Sequence, residues 1–132
     1  MKIIELKAKE LFNKALILRD KGEYEEAIDL LHKIILEHPD FSFAYGHLGE
    51  ILWKQGNLQE ANHYFLKASE LMPESSLASL CVFHTLWEME KYEPALLEIK
   101  RFKKIGRKSK DYEEIISGLI KKKMIDENLN LI

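Results

Sequence analysis

The sequence predicts an all-α protein built as a stack of helical hairpins. Residues of the same kind recur every 34 residues, and each such unit carries apolar residues at helical spacing on both sides of a central break. The recurring sets are Tyr24, Leu58 and Tyr92; Ala27, Ala61 and Ala95; Gly22 and Gly56; Pro39 and Pro73; and Trp53 and Trp87. A hairpin of this size cannot bury its apolar face alone, so neighbouring hairpins are expected to stack.

The middle unit shows the pattern most fully. Its first helix is marked by Tyr45, Leu48, Gly49 and Leu52, and its second by Ala61, Phe65 and Ala68. Gly56 and Asn57 separate the two, because glycine favours the left-handed conformation that ends a helix and asparagine caps the start of the next one. Gly49 and Ala61 are both small, which predicts a close approach of the two helices.

These residues resemble the tetratricopeptide repeat (TPR). The family pattern of a large apolar residue, Leu-Gly, a second large residue, Gly, Ala, Phe, Ala and Pro is matched at Tyr45, Leu48, Gly49, Leu52, Gly56, Ala61, Phe65, Ala68 and Pro73. The resemblance implies a right-handed superhelix of three hairpins, with repeat 1 at about 8–41, repeat 2 at about 42–75 and a degenerate repeat 3 at about 76–109.

The third repeat departs from the pattern at three positions. Phe83 replaces a small residue, Glu90 replaces the glycine of the turn and Arg107 replaces the closing proline. A left-handed residue other than glycine costs roughly 1 kcal/mol, so we expect an altered turn at Glu90. The size of Phe83 likewise predicts an altered spacing between the two helices.

The remaining elements follow from end signals and apolar stripes. Asp40 is expected to cap the helix over 41–55, Ser75 or Ser76 the next but one, and Pro94 is expected in the first turn of the sixth helix. A last helix at about 110–125 is predicted to cap the stack, because it carries an apolar stripe on one side. Residues 126–132 are expected to fray. The whole chain is predicted to form one domain.

Composition points to a cytoplasmic protein. The chain has 132 residues, of which 46% are hydrophobic and 32% charged, and Cys81 is its single cysteine. No apolar run approaches the roughly 20 residues that cross a bilayer, and the N-terminal residues are too charged for a signal peptide. We therefore expect no membrane association.

No pattern in the sequence predicts catalysis, a metal or a cofactor. The five histidines, His32, His38, His47, His63 and His84, form no pair at metal-ligand spacing, and neither a phosphate-binding glycine loop nor a nucleophile elbow occurs. The sequence therefore predicts a protein that is not an enzyme.

The TPR resemblance implies a binding groove on the concave side, lined by the first helix of each hairpin. Carried over position by position, the predicted groove residues are Lys9, Phe12, Leu16, Arg19, Phe43, Glu50, Trp53, Lys54, Leu77, Leu80, His84 and Trp87. Large exposed apolar patches usually mark binding sites, and tryptophan is enriched at interface hot spots. The alternative is that the last helix covers the groove, or that neighbouring hairpins bury these residues.

The predicted partner is an apolar or aromatic segment of another protein. Of the family's clamp for peptide carboxylates, only Lys9 and Asn13 are retained, so chaperone C-terminal tails are not the expected ligand. A weaker resemblance of residues 76–102 to small bacterial TPR proteins encoded beside polymorphic toxins implies an immunity role as an alternative, in which the chain occludes a secreted toxin.

The C-terminal quarter of the chain is basic. Residues 99–132 carry a net charge of +5 and residues 1–98 a net charge of −7. The candidate basic patch consists of Lys100, Arg101, Lys103, Lys104, Arg107 and Lys108. Nucleic-acid binding, with Phe102 and Tyr112 stacking on bases, is a minor alternative for this patch. Weak self-association of the acidic body with the basic end is another, so a monomer or a weak homo-oligomer is expected.

Overall fold

The computed structural model describes residues 3–132, with side chains from residue 6 onward, and this part of the chain contains seven α-helices. Their bounds are α1 Ile3–Asp20, α2 Tyr24–Glu37, α3 Ser42–Lys54, α4 Leu58–Leu71, α5 Ser76–Glu88, α6 Tyr92–Ile105 and α7 Lys110–Lys121. Helix α1 packs on α2, α3 on α4 and α5 on α6, and the hairpins join through α2 with α3 and through α4 with α5. The predicted all-α solenoid is confirmed.

Two apolar clusters form the core. The first joins α1 to α5 around residues such as Leu31, Ile34 and Leu48, each fully buried. The second joins α5, α6, α7 and the C-terminal tail around Ile99, Phe102 and Tyr112. The last helix therefore extends the stack, because Tyr112 packs between the rings of Phe83 and Phe102.

The turn inside the third hairpin has the same geometry as the glycine turns. The N–H of Glu90 donates to the carbonyl of Trp87 at 2.9 Å, and the N–H of Lys91 donates to the carbonyl of Leu86 at 2.9 Å. This pair of bonds is the Schellman motif, which satisfies the last carbonyls of a helix. Left-handed backbone with the same pair of bonds occurs at Gly22, Gly56, Glu90 and Lys123. The prediction of an altered turn at Glu90 is therefore wrong.

Two of the predicted helix caps, Asn57 and Ser75, are present, and Ser109 is a third cap that was not predicted. The side chains of Asn57, Ser75 and Ser109 each accept a hydrogen bond from a backbone N–H in the first turn of the helix that follows. Asp40 does not cap α3, because the helix begins one residue later than predicted and Phe41 occupies the cap position without a side-chain bond. Gly106, in left-handed conformation, ends α6 where the other hairpins have proline nearby.

The third hairpin accommodates Phe83 without losing the pairing of α5 with α6. Gly49, the matching residue of the second hairpin, lies against the ring of Phe65. In the third hairpin the large residue is on the first helix, since Phe83 is buried and the smaller Ile99 stands in the place of Phe65. The third hairpin thus has its large side chain on the first helix and a smaller one on the second, the reverse of the second hairpin, and the two helices still pair.

A buried polar network links α5, α6 and α7. Ser79 Oγ lies 2.6 Å from Glu98 Oε2, to which it donates, and 2.7 Å from Tyr112 Oη. Arg101 donates to both carboxylate oxygens of Glu98, the shortest contact being 2.6 Å, and to the carbonyl of Pro73. Burial raises the pKa of Tyr112, so its hydroxyl stays protonated and can donate.

The C-terminal tail folds back on the stack, contrary to the expectation that residues 126–132 fray. Ile125 and Leu129 are buried in the second cluster, and Ile125 forms an isolated β-bridge with Leu131. Asp126 accepts hydrogen bonds from the backbone N–H groups of Asn128 and Asn130, which lowers the pKa of its carboxyl. Two apolar anchors and this local turn explain the ordered tail.

Candidate functional site

A depression of about 310 Å³ lies between α3, α5 and the C-terminal half of α4. Four of the predicted groove residues line it: Phe43, Glu50, Trp53 and Leu77. Other residues that line it, and that sequence reasoning missed, are His47, Phe65, Ala68, Met72 and Cys81. No residue of α7 contributes to the lining, so the last helix does not cover this part of the groove.

Trp53 forms one wall of the depression and is held from three sides. Its ring meets the ring of Phe65 edge-on at 5.8 Å and stacks on the imidazole of His84 at 6.3 Å. Its Nε1 donates a hydrogen bond of 3.1 Å to Glu88 Oε2. These contacts fix the indole while leaving it partly exposed to a ligand.

Phe43 and Leu77 form an exposed apolar rim. They occupy equivalent positions of consecutive hairpins, and their side chains are 58% and 71% exposed. Water-exposed apolar groups beside a concave apolar surface favour binding of another apolar group. Phe12 extends this rim toward α1, with its ring 6.4 Å from that of Phe43.

The α1 end of the depression is polar. Arg19 Nη1 lies 2.8 Å from His47 Nδ1. Because arginine can only donate, His47 Nδ1 accepts and its imidazole is neutral. Burial and the Arg19 charge lower the pKa of His47. Glu50 lies between Arg19, at 3.7 Å, and Lys54, at 3.3 Å, so its charge is balanced on both sides.

The remaining predicted groove residues lie outside the lining. Leu80 is buried in the second core cluster, and Trp87 packs on Tyr92, with ring centres 4.5 Å apart, and on Phe83. Of the two tryptophans predicted to line the groove, only Trp53 therefore lines this depression. Lys9 is exposed and Leu16 half-buried on α1.

Comparison with known proteins identifies the family. A sequence model of the tetratricopeptide repeat matches residues 18–82, from the end of α1 into α5. This chain is a tetratricopeptide repeat protein. Among curated proteins, none matches its sequence significantly.

Solved TPR structures have the same fold. MamA 41-end from Desulfovibrio magneticus RS-1 is 25% identical, with a TM-score of 0.66, over 73% of this chain and 54% of the MamA chain. The chain thus spans about half the length of that structure. PilF of Pseudomonas aeruginosa is 24% identical, with a TM-score of 0.65, over 77% of this chain and 47% of its own. The TPR2B domain of yeast Sti1, in a complex with pHsp70, is 21% identical, with a TM-score of 0.66, over 74% of this chain and 78% of its own.

The predicted basic patch of the TPR domain is only partly free. Arg101 is bound to buried Glu98, Arg107 forms an ion pair of 3.3 Å with Glu74, and Lys100 donates to Asn130 Oδ1. Lys103, Lys104 and Lys108 are exposed. Phe102 and Tyr112 are 1% and 2% exposed, so the expectation that they stack on bases is wrong.

Within residues 6–132, whose side chains the structure describes, no group of three or more histidine, cysteine or acidic side chains is arranged to hold a metal ion. Burial raises the pKa of the Cys81 thiol to about 11, so it is protonated at neutral pH. No helix in this range is both long and apolar enough to span a membrane.

Proposed function

We propose that this TPR protein binds an apolar or aromatic segment of a partner protein in the depression between α3, α4 and α5. The observation that carries the proposal is the exposed rim of Phe43 and Leu77 beside the fixed indole of Trp53. The depression has a volume of about 310 Å³, which is at the small end of the range for ligand sites and suits one bulky side chain.

The charges around the depression favour an uncharged anchor. Glu50 lines it, and this carboxylate already has Arg19 and Lys54 as neighbours. A charged ligand side chain would lose its hydration on an apolar surface that offers it no free counter-charge. A tryptophan, phenylalanine or leucine of the partner fits better, in an extended or helical segment. The role is that of a non-enzymatic adaptor or chaperone-like module in the cytoplasm.

Affinity capture from the native lysate, with the partner identified by mass spectrometry, tests the groove. The variant Phe43→Ala/Leu77→Ala removes the exposed rim with little effect on folding, because both side chains are mostly in water. The matched control is Leu66→Ala, an exposed leucine of α4 outside the depression. We expect the rim variant to lose the partner and the control to keep it. Equal capture by both variants would refute the groove proposal.

An immunity role is the second candidate. Its support is the net charge of −7 over residues 1–98, which suits a basic partner such as a nuclease toxin. The same capture experiment tests it, because it requires the retained protein to be a toxin whose activity falls on binding. Nucleic-acid binding has less support, since the aromatic residues near the basic patch are buried and both of its arginines have carboxylate partners.

A further inference from the structure

A second concave surface lies along the outer side of α6, where the C-terminal tail folds back. Two adjoining depressions of about 510 and 270 Å³ share Leu97, Lys100 and Leu129 in their linings. Neither has a lining residue in common with the depression between α3, α4 and α5. This surface is therefore separate from the proposed partner groove.

The surface combines positive charge with exposed apolar groups. Lys100, Lys103 and Lys104 line the larger depression, and no ion pair within the described chain involves them. Leu97 is 61% exposed, and Leu131, in the smaller depression, is 40% exposed. An occupant of matching chemistry carries carboxylates at one end and an apolar side chain at the other.

Helix α2 of this same chain has that chemistry. Glu25, Glu26 and Asp29 are exposed in its first two turns, and no ion pair of the described residues involves them. Leu36, in its last turn, is 82% exposed, the largest exposed fraction among the described large apolar side chains. Helix α2 thus has negative charges near its N-terminus and an exposed apolar side chain near its C-terminus.

The charged residues of α2 and α6 have the same spacing along the chain and match when the two helices run antiparallel. Glu25 and Asp29 are one helical turn apart, as are Lys104 and Lys100, so two ion pairs form in register. In this register Leu36 lies opposite Glu93, above the smaller depression, whose walls include Leu96, Leu97 and Leu131. We propose that α2 of a second copy of this chain lies antiparallel along α6, with Glu25 at Lys104, Asp29 at Lys100 and Leu36 in the smaller depression.

The contact joins two different surfaces, so a pair of copies still has one free α2 and one free α6. Such a heterologous contact does not close at a dimer unless the rotation forms a ring. Exposed ion pairs are individually weak and are screened by salt. The expected behaviour is head-to-tail self-association that grows with protein concentration and weakens as salt is added.

Sedimentation velocity of the full chain, over a wide concentration range at low and high salt, tests the proposal by charge exchange. One variant is Lys100→Glu/Lys104→Glu and the other is Glu25→Lys/Asp29→Lys. Each alone is expected to self-associate at least about tenfold more weakly, because its own two surfaces now repel. An equimolar mixture of the two is expected to associate again, since each acidic surface then meets a basic one.

Two control variants distinguish the α2–α6 contact from a change in net charge and from binding at the depression between α3, α4 and α5. Lys121→Glu/Lys122→Glu changes the net charge equally at residues that line neither depression and is expected to associate like the wild type. Trp53→Ala is also expected to associate normally, so failure here and failure at the groove are distinguishable. A wild-type chain that stays monomeric overturns the proposal, as does a mixture that does not reassociate. Weakening by the lysine changes alone would place a different occupant on α6 and would also overturn it.

Discussion

Gly49 of α3 lies directly against the ring of Phe65 of α4. A Cβ added at Gly49 would come within 2.7 Å of Phe65 Cε1, closer than two carbon atoms can approach without displacement. Phe65 in turn supports Trp53 edge-on, so this one contact couples the pairing of the second hairpin to a wall of the proposed groove. The absence of a side chain at Gly49 is thus a structural requirement of both.

Gly49→Ala is expected to destabilise the protein by about 1–3 kcal/mol, because the added methyl group overpacks the α3–α4 contact. Gly118→Ala is the matched control, since a Cβ there meets nothing within 4 Å and alanine is the better helix former. The control is expected to gain about 0.5–1 kcal/mol. Urea unfolding monitored by circular dichroism measures both changes. A Gly49→Ala protein as stable as Gly118→Ala would contradict the packing argument.

Glu90→Gly is expected to stabilise the protein by up to about 1 kcal/mol. Glu90 has a φ of 61°, a conformation that costs other residues free energy but suits glycine. The reverse change, Gly56→Glu, places a side chain at a φ of 80° and is expected to destabilise by a similar amount. The free energy of unfolding in urea reports both, and a loss of stability in Glu90→Gly would show that the glutamate side chain has a stabilising role of its own.

Two arginine–glutamate pairs differ in burial, and their loss is expected to differ accordingly. Glu98→Gln weakens the bonds from Arg101 and Ser79 inside the α5–α6–α7 contact, where Glu98 is 8% exposed. We expect it to lose about 1–3 kcal/mol of unfolding free energy. Glu74→Gln removes the Arg107 pair, whose side chains are 68% and 61% exposed, and is expected to cost less than about 1 kcal/mol. Equal losses would indicate that burial does not set the strength of these pairs.

The Cys81 thiol is expected to react slowly with iodoacetamide at neutral pH. The thiolate is the nucleophile, and raising the pKa from 9.0 to about 11 lowers the thiolate fraction about 100-fold at any pH well below both values. The alkylation rate should therefore keep rising with pH toward about 11. Protein unfolded in urea is the control and should level off at a lower pH. A rate in the folded protein that levels off near 9.0 would show that the thiol is not desolvated.

Local signals predicted the repeat architecture. Side-chain caps and apolar spacing act within a few residues, and Asn57 and Ser75 cap the helices that the sequence assigned to them. The altered turn expected at Glu90 did not occur. A penalty of about 1 kcal/mol at one residue is smaller than the packing of two helices that the turn must join.

The features that the sequence did not predict depend on contacts between residues that are far apart in the chain. Ser79 meets Glu98 and Tyr112 across separations of 19 and 33 residues, and neither spacing has a periodic signature. The tail was expected to fray, yet Ile125 and Leu129 are buried against the stack. Among the groove residues predicted from the family pattern, Phe43 and Trp53 of α3 line the depression. Met72 and Cys81 were not predicted, because only the tertiary packing brings them to the depression.

The left-handed turn that ends α1, α3, α5 and α7 is defined by backbone hydrogen bonds, and glycine occupies it in only two of the four cases. The backbone hydrogen bonds therefore give the exiting chain the same direction whichever of these residues occupies the position. A residue other than glycine removes part of the sequence pattern of a repeat while the turn itself is kept. The sequence match to the family ends at residue 82, whereas the same turn recurs at Glu90 and Lys123. The turn geometry of the repeat therefore extends further along the chain than the sequence pattern by which the family is matched.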